Sequence, residues 1–170
     1  GFEINTKKGI HIEVGADIQE EGVLEDFHLS DSIVIYAGDY SFIGSEIRFG
    51  TSNARKISIM TEANIGQFYD GNRIGLRAEP NFNISSSLKI SAMYEFNAIR
   101  FPERETNNAL NIHSVNIKAL YMFNTKLSVS LLVQYVNTEN ELITNFRLRY
   151  NPREGNDFYL VFNDFRGVAN

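Results

Sequence analysis

Apolar and polar residues alternate one for one along much of this chain, in runs of about ten. In the clearest run, Leu127, Val129, Leu131, Val133 and Tyr135 share one parity, and Ser128, Ser130, Leu132 and Gln134 the other. Successive side chains of a strand point to opposite faces, whereas a helix brings a face round every 3.6 residues. A period of two therefore predicts strands, and helical spacing is nowhere sustained. The pattern recurs in Ile10, Ile12, Val14, Ala16 and Ile18, and in Ile57, Ile59, Thr61, Ala63 and Ile65. It recurs again in Ile74, Leu76, Ala78, Pro80 and Phe82, and in Leu88, Ile90, Ala92, Tyr94 and Phe96. Val115, Ile117, Ala119, Tyr121 and Phe123 carry it further, as do Leu142, Thr144, Phe146, Leu148 and Tyr150. Phe158, Leu160 and Phe162 give a weaker copy.

Turn chemistry separates the runs. Asp70-Gly71 suits a tight hairpin, because glycine tolerates the positive φ such turns demand. Residues 52–54, 85–87 and 124–126 are short polar links, 102–108 is a longer charged loop, and 138–140 and 152–156 complete the series. The expectation is an all-β chain of roughly nine or ten strands, joined as antiparallel up-and-down hairpins within one segment spanning 1–170.

Alternation alone does not say which face is the core, since soluble antiparallel sheets alternate too. Strand length and the polar face decide. Soluble strands usually run to about five or six residues, while these reach the ten or so needed to cross a hydrocarbon layer at a tilt. The polar parity is charged through mid-strand, and aromatic residues gather at strand ends (Phe82, Phe96, Phe101, Tyr121, Phe123, Tyr135, Tyr150), as in the girdles of membrane barrels. The expected fold is a transmembrane β-barrel, closed because backbone groups in lipid must all be paired. Its lipid-facing set comprises Leu88, Ile90, Tyr94, Ile117, Tyr121, Leu127, Val129, Leu131, Val133 and Tyr135. Its lumen-facing charges are Glu62, Arg73, Arg77, Glu79, Lys89, Glu95, Lys118, Arg147 and Arg149. The alternative is a soluble barrel or sandwich with the apolar face inward, binding a small ligand.

Composition trims the functional classes. Sixteen basic against 21 acidic residues give a net charge of −5, a poor match to a nucleic-acid partner. There is no cysteine, hence no disulfide, thiolate metal site or cysteine nucleophile. The longest apolar stretches, 33–37 and 119–123, are far short of the 20 or so residues of a membrane helix. A start at Gly1-Phe2-Glu3 leads us to expect a mature or trimmed piece.

Several stretches resemble one family. They are Gly38-Asp39-Tyr40-Ser41-Phe42, Asn53-Ala54-Arg55-Lys56, and Gly66-Gln67-Phe68-Tyr69-Asp70-Gly71-Asn72-Arg73. Leu131-Leu132-Val133-Gln134-Tyr135-Val136-Asn137, Thr144-Asn145-Phe146-Arg147-Leu148-Arg149-Tyr150 and Asp157-Phe158-Tyr159-Leu160-Val161-Phe162-Asn163 follow in order. The resemblance is to the C-terminal part of Gram-negative outer-membrane barrel proteins, common in Bacteroidota. In these a family-9-type carbohydrate-binding domain precedes a large, functionally uncharacterised barrel. It implies an outer-membrane location, a longer parent chain, and lipid, other outer-membrane proteins or glycans as partners. Family members usually end in a further strand with an aromatic terminus, so the closing strand is expected to be missing at 166–170. Counting back from that end puts loops 69–72, 102–108 and 138–140 outside the cell and the short links in the periplasm.

No catalytic, metal or cofactor motif emerges, and the chain is read as a non-enzyme. His11, His28 and His113 lack ligand spacing, and Glu20, Glu21, Glu25 and Asp26 read as a solvated strand end. Glu79 and Glu95 on neighbouring polar faces have the residue types of a glycosidase pair, but Arg73, Arg77 and Lys89 beside them make charge pairing the simpler reading. Arg77, Arg147 and Arg149 form either an anion-attracting stripe or partners for Glu62, Glu79 and Glu95 or for an inserted plug. Phe68, Tyr69 and Phe101 are expected exposed at the outer rim, as membrane anchors or stacking platforms for sugar rings. The functions this leaves are pore or transport, surface glycan handling through an N-terminal carbohydrate-binding domain, and a non-transporting structural barrel in a larger complex.

Overall fold

The computed structural model describes residues 1–167. The elements are β1 (Phe2–Asn5), β2 (Ile10–Val23), β3 (Phe27–Ser30), β4 (Ile33–Ile35), β5 (Gly38–Thr51), β6 (Ile57–Phe68), β7 (Gly71–Asn83), β8 (Leu88–Arg100), β9 (Ala109–Met122), β10 (Leu127–Val136), β11 (Glu141–Arg153) and β12 (Asn156–Gly167). No helix occurs among the described residues. Ten strands form one sheet in the order β1-β2-β5-β6-β7-β8-β9-β10-β11-β12, and β3 and β4 make a separate hairpin. The all-β antiparallel meander expected from the alternation is what the chain adopts. Residues 168–170, part of the terminus where a closing strand was expected to be missing, lie outside the described residues.

Eight sheet strands coincide with the alternating runs. The other two, β1 and β5, have their own reasons for escaping notice. β1 is only four residues long. In β5, Ile43, Ile47 and Phe49 alternate with Gly44, Glu46 and Arg48, but Tyr40 and Phe42 fall on the polar parity and blur the period. The hairpin β3–β4 turns at Asp31-Ser32 and takes its second strand from the five-residue apolar stretch 33–37.

The register bears directly on the faces. Across β9, β10 and β11, Leu131 lies opposite Ala119 and Phe146, Val129 opposite Tyr121 and Leu148, and Val133 opposite Ile117 and Thr144. On the other parity Leu132 lies opposite Lys118 and Asn145, and Ser130 opposite Leu120 and Arg147. β12 continues both sets, with Phe162 opposite Phe146, Leu160 opposite Leu148, and Tyr159 opposite Arg149. Directly opposed residues share a face, so one face is apolar from Leu127, Tyr150 and Phe158 to Leu131, Phe146 and Phe162, turning polar beyond at Thr144, Asp164 and Arg166, and the other is mixed polar.

The described residues group into two compact units. Unit 1 comprises Gly1–Gly50, Thr61–Arg77 and Glu95–Ile112. Unit 2 comprises Thr51–Met60, Ala78–Tyr94 and the stretch beginning at His113. The fully buried apolar side chains, Ile33, Ile35, Ile99 and Phe101, all belong to unit 1. In unit 2 the buried polar side chain is Ser58, whose Oγ lies 3.2 Å from Asn53 Oδ1. The apolar face there is open: Phe158, Leu160 and Phe162 each leave about 60 % of their surface uncovered.

Two turns correct the sequence reading. In the turn before β7 the left-handed residue is Tyr69 (φ 52°), not Gly71. Gly71 is needed for a different reason: a Cβ there would collide with the Arg100 carbonyl oxygen and the Phe101 ring. Tyr69 holds its uncommon backbone conformation because its ring is packed edge-on against Phe27, Tyr40, Phe42 and Phe68, at centroid distances of 4.7–5.8 Å. The loop 102–108 is closed by Phe101 N–H donating to the Asn108 carbonyl (2.8 Å). Its Phe101, expected on an exposed rim, is buried completely.

Candidate functional site

In unit 1 the polar parity of β2, β5 and β6 opens into a concavity of about 540 Å³. Its floor is low because glycines occupy it. Gly15, Gly44 and Gly66 all line it, and a Cβ on Gly66 would reach within 2.8 Å of the Gly44 Cα and the Ile43 carbonyl oxygen. Around the floor stand Asp17, Glu21, Glu46 and Glu62, with Asn64 and Gln67 as amides, Phe42 and Phe68 as rings, and Arg73 as the cationic member. The Arg73 guanidinium lies over the Phe68 ring at 5.4 Å, a cation–π contact.

Arg48 organises the carboxylates of this face. Its Nη2 donates to Glu46 Oε2 (2.9 Å) and its Nε to Glu62 Oε2 (3.3 Å), while Nη1 lies 3.5 Å from Glu13 Oε2. Three carboxylates converge on one guanidinium, so the cluster keeps a net negative charge. His11 lies at its margin, 3.6 Å from both Glu13 and Glu3 and 2.8 Å from Asn5 Oδ1. The sequence reading missed Arg48 because β5 was not recognised as a strand. The usable signal was the Gly44-Ser45-Glu46-Ile47-Arg48 spacing, which puts Glu46 and Arg48 on one face.

One margin of the concavity is aromatic. Tyr69 donates its hydroxyl to Glu21 (3.3 Å to Oε1). Burial, and then the Glu21 charge, hold the phenol's pKa above its ordinary value. Beside it Arg104 closes a bidentate pair on Asp70, Nε to Oδ2 and Nη2 to Oδ1, both at 2.6 Å. That hydrogen bonding holds the guanidinium above its ordinary pKa. Phe68 and Tyr69 are half-buried and Phe101 lies beneath the Arg104 guanidinium at 4.1 Å. The three do not form an exposed platform, because the β3–β4 hairpin covers them.

Unit 2 has a smaller concavity of about 320 Å³, lined by Ser128, Ser130, Arg147, Arg149 and Tyr159. Arg147 lies over the Tyr159 ring at 4.4 Å, and Arg149 Nε donates to Asp157 Oδ1 at 2.8 Å. These two arginines therefore meet Tyr159 and Asp157, which neither of the two alternatives offered by the sequence had named. The sequence signal was present, since Tyr159 and Asp157 share one parity in β12.

The remaining candidates fall as follows. Glu95 accepts from Asn97 Nδ2 (2.9 Å) in unit 1, while Arg77 belongs to unit 1 and Glu79 to unit 2, each with interactions of its own. Lys89 and Lys118 are exposed on the polar parity of β8 and β9. Leu88, Ile90, Leu127, Val129, Val133 and Tyr135 are half-buried on the apolar parity, and Tyr94, Ile117, Tyr121 and Leu131 are exposed there. Tyr94 hydroxyl meets His113 Nδ1 at 2.9 Å. Of the acidic run at the end of β2, Glu21 meets Tyr69 and Asp26 accepts from the Ala37 N–H. Among the described residues no group of three or more His, Cys, Asp or Glu is placed to hold a metal ion.

No family model matches the chain. No curated protein matches it either. Among solved structures it is similar to a KdgM porin and to a KdgM porin in complex with disordered oligogalacturonate. Each alignment has 10 % identity and a TM-score of 0.42, covering 96 % of this chain and 81 % of the porin. A likeness at that level carries neither fold nor function across.

Proposed function

We propose that this chain is strand-forming wall of an outer-membrane β-barrel, with its apolar face in lipid and its polar face lining an aqueous interior through which small polar solutes pass. The observation that carries the reading is the exposure of the apolar parity along strands of 10–14 residues. Ile18, Ile43, Ile57, Ile65, Phe158, Leu160 and Phe162 are each more than half uncovered. Full burial of such a side chain is worth about 1.5–3 kcal/mol, so a sheet bearing this many in water is poorly matched to its solvent. In hydrocarbon the same face is satisfied, and strand length fits the requirement of a tilted crossing. A soluble barrel would need that face inside. The glycine-floored concavity and the Arg48 cluster fit a hydrated interior.

The test is the native protein, extracted in detergent and reconstituted in a planar bilayer. Stepwise ion conductance from a heat-modifiable, folded band is the expected result. A folded barrel without conductance would point to a structural role in a larger assembly. A monodisperse protein in plain buffer would overturn the membrane reading. Surface glycan handling through an N-terminal carbohydrate-binding domain belongs to the same proposal, and the reading frame upstream of Gly1 tests it.

A further inference from the structure

We propose that the β3–β4 hairpin is a displaceable plug, seated on the polar face of unit 1 and held there by Arg104, that closes the pore at that end. The inference rests on the pore reading above. Ile33 and Ile35 are buried almost completely, against Ile99 and Phe101. Tyr40, Phe68, Leu110 and Ile112 surround them. In strand parity Tyr40 belongs with Glu46 and Arg48, Phe68 with Glu62 and Asn64, and Ile99 with Glu95 and Asn97. The face that is charged in mid-strand thus turns apolar at this end. An apolar patch on a wet face is unfavourable unless something dry covers it, and the hairpin supplies two isoleucines for the purpose.

How the hairpin is held makes it displaceable. It forms its own two-stranded sheet, apart from the ladder of the ten-stranded one. Its neck is closed by Ala37 N–H donating to Asp26 Oδ1 (2.8 Å). Its second strand is tied at the middle by a side chain: Arg104 Nη1 donates to the Val34 carbonyl (2.9 Å) while the same guanidinium pairs with Asp70 and covers Phe101. A single guanidinium therefore joins β4, the turn before β7 and the loop before β9. The seated state also carries a fault. Ser30 Oγ, at the end of β3 beside an irregularity in the β3–β4 register, is buried with no protein hydrogen-bond partner among the described residues. An unsatisfied buried hydroxyl opposes seating and is relieved when the hairpin moves into water. The seated state is thus held by the apolar contact of Ile33 and Ile35, the Phe27–Tyr69 ring contact, the Tyr40 hydroxyl on the Tyr36 carbonyl and the Arg104 tie, and opposed by the burial of the Ser30 hydroxyl.

Ser30 also provides the assay, because the chain has no other thiol to confuse it. Ser30→Cys is nearly isosteric and places a reporter where solvent does not reach. The full-length protein in lipid is treated with a maleimide, and the same preparation is read for single-channel conductance. With Arg104 intact, labelling should be slow and the conductance steps small. Adding Arg104→Ala, or the milder Asp70→Asn, should speed labelling by about tenfold, the order expected from losing one charge-assisted pair, and should raise conductance. Fast labelling with Arg104 and Asp70 intact, or no acceleration in either variant, would overturn the latch. Faster labelling with a measurable but unchanged conductance would overturn the plug and leave the pore standing. Replacing residues 24–37 by a short Gly-Ser link separates the two readings further, since a folded deletion that conducts nothing refutes the pore itself.

Discussion

Leu131 and Leu132 are chain neighbours with identical side chains on opposite faces of β10, and an arginine at each asks which face meets lipid. Leu131 faces Ala119 on one side and Phe146 on the other. An arginine there, near the middle of the strand, has no acidic or amide partner directly opposite. If that face is in hydrocarbon, the cost is about 2–4 kcal/mol at the membrane midplane. Leu132 faces Lys118 and Asn145. An arginine at 132 keeps its hydration in an aqueous interior, gains Asn145 as an acceptor, and meets one like charge directly opposite. The like-charge contact is worth about 0.2–1 kcal/mol, which bounds the loss. Leu131→Arg should therefore destabilise by at least twice as much as Leu132→Arg. The chain has no tryptophan, so the assay is the heat-modifiable shift between folded and unfolded bands, followed against urea in lipid vesicles. Equal losses would undo the face assignment. A larger loss at 132 would reverse it, and two negligible losses would mean that neither face lies in lipid.

Other expectations follow from the same structure. Arg48→Ala leaves Glu13, Glu46 and Glu62 without their common partner, so the reversal potential in a salt gradient should move toward cation preference, and an unmoved potential would take the cluster off the ion path. Gly71→Ala drives a methyl into the Arg100 carbonyl and the Phe101 ring; a loss of about 1–3 kcal/mol is expected, measured by the same band shift, whereas the unhindered Gly155, for all its positive φ, should lose less. Ile35→Ala empties a fully buried site in unit 1 and should cost about 2–5 kcal/mol if the hairpin is part of the folded core, read as loss of protease resistance at 24–37. Tyr69, whose phenol is raised by burial and Glu21, keeps its proton beyond the ordinary value of 10.0. Its contribution is then complete below the unfolded value and lost as pH rises through the higher folded one. Tyr69→Phe should remove that alkaline step from a pH series of the folded-to-unfolded band shift.

The alternation made most of the sheet legible because a period of two is a local property that tertiary contacts only reinforce. It grouped Leu127, Val129 and Leu131 against Ser128, Ser130 and Leu132, and the register pairs each group with its like. What it did not reveal are the places where a face changes character along a strand. Tyr40 and Phe42 carry the polar parity of β5, yet both rings pack on Tyr69, and Tyr40 also meets the buried isoleucines of the hairpin. Phe101 looked like a rim aromatic by its place before a proline loop, and its burial depends on Ile33, Ile35 and Arg104, all distant in sequence. Arg48 and its three carboxylates are spread over β2, β5 and β6. Such a constellation has no spacing rule and needs the strand order before it can be seen.

Apart from the step from β2 to β5, every pair of neighbours in the sheet is also consecutive along the chain. At several turns the next link is tied to the last by backbone bonds, as with Asn83 N–H to Lys56 O (2.7 Å), Met122 N–H to Ser87 O (2.8 Å) and Asn151 N–H to Lys126 O (2.7 Å). Joining consecutive strands closes only short loops, so each addition costs little chain entropy. A wall built this way is modular in heredity as well as in assembly: a duplicated or deleted hairpin alters the circumference by two strands while leaving every other pairing in place.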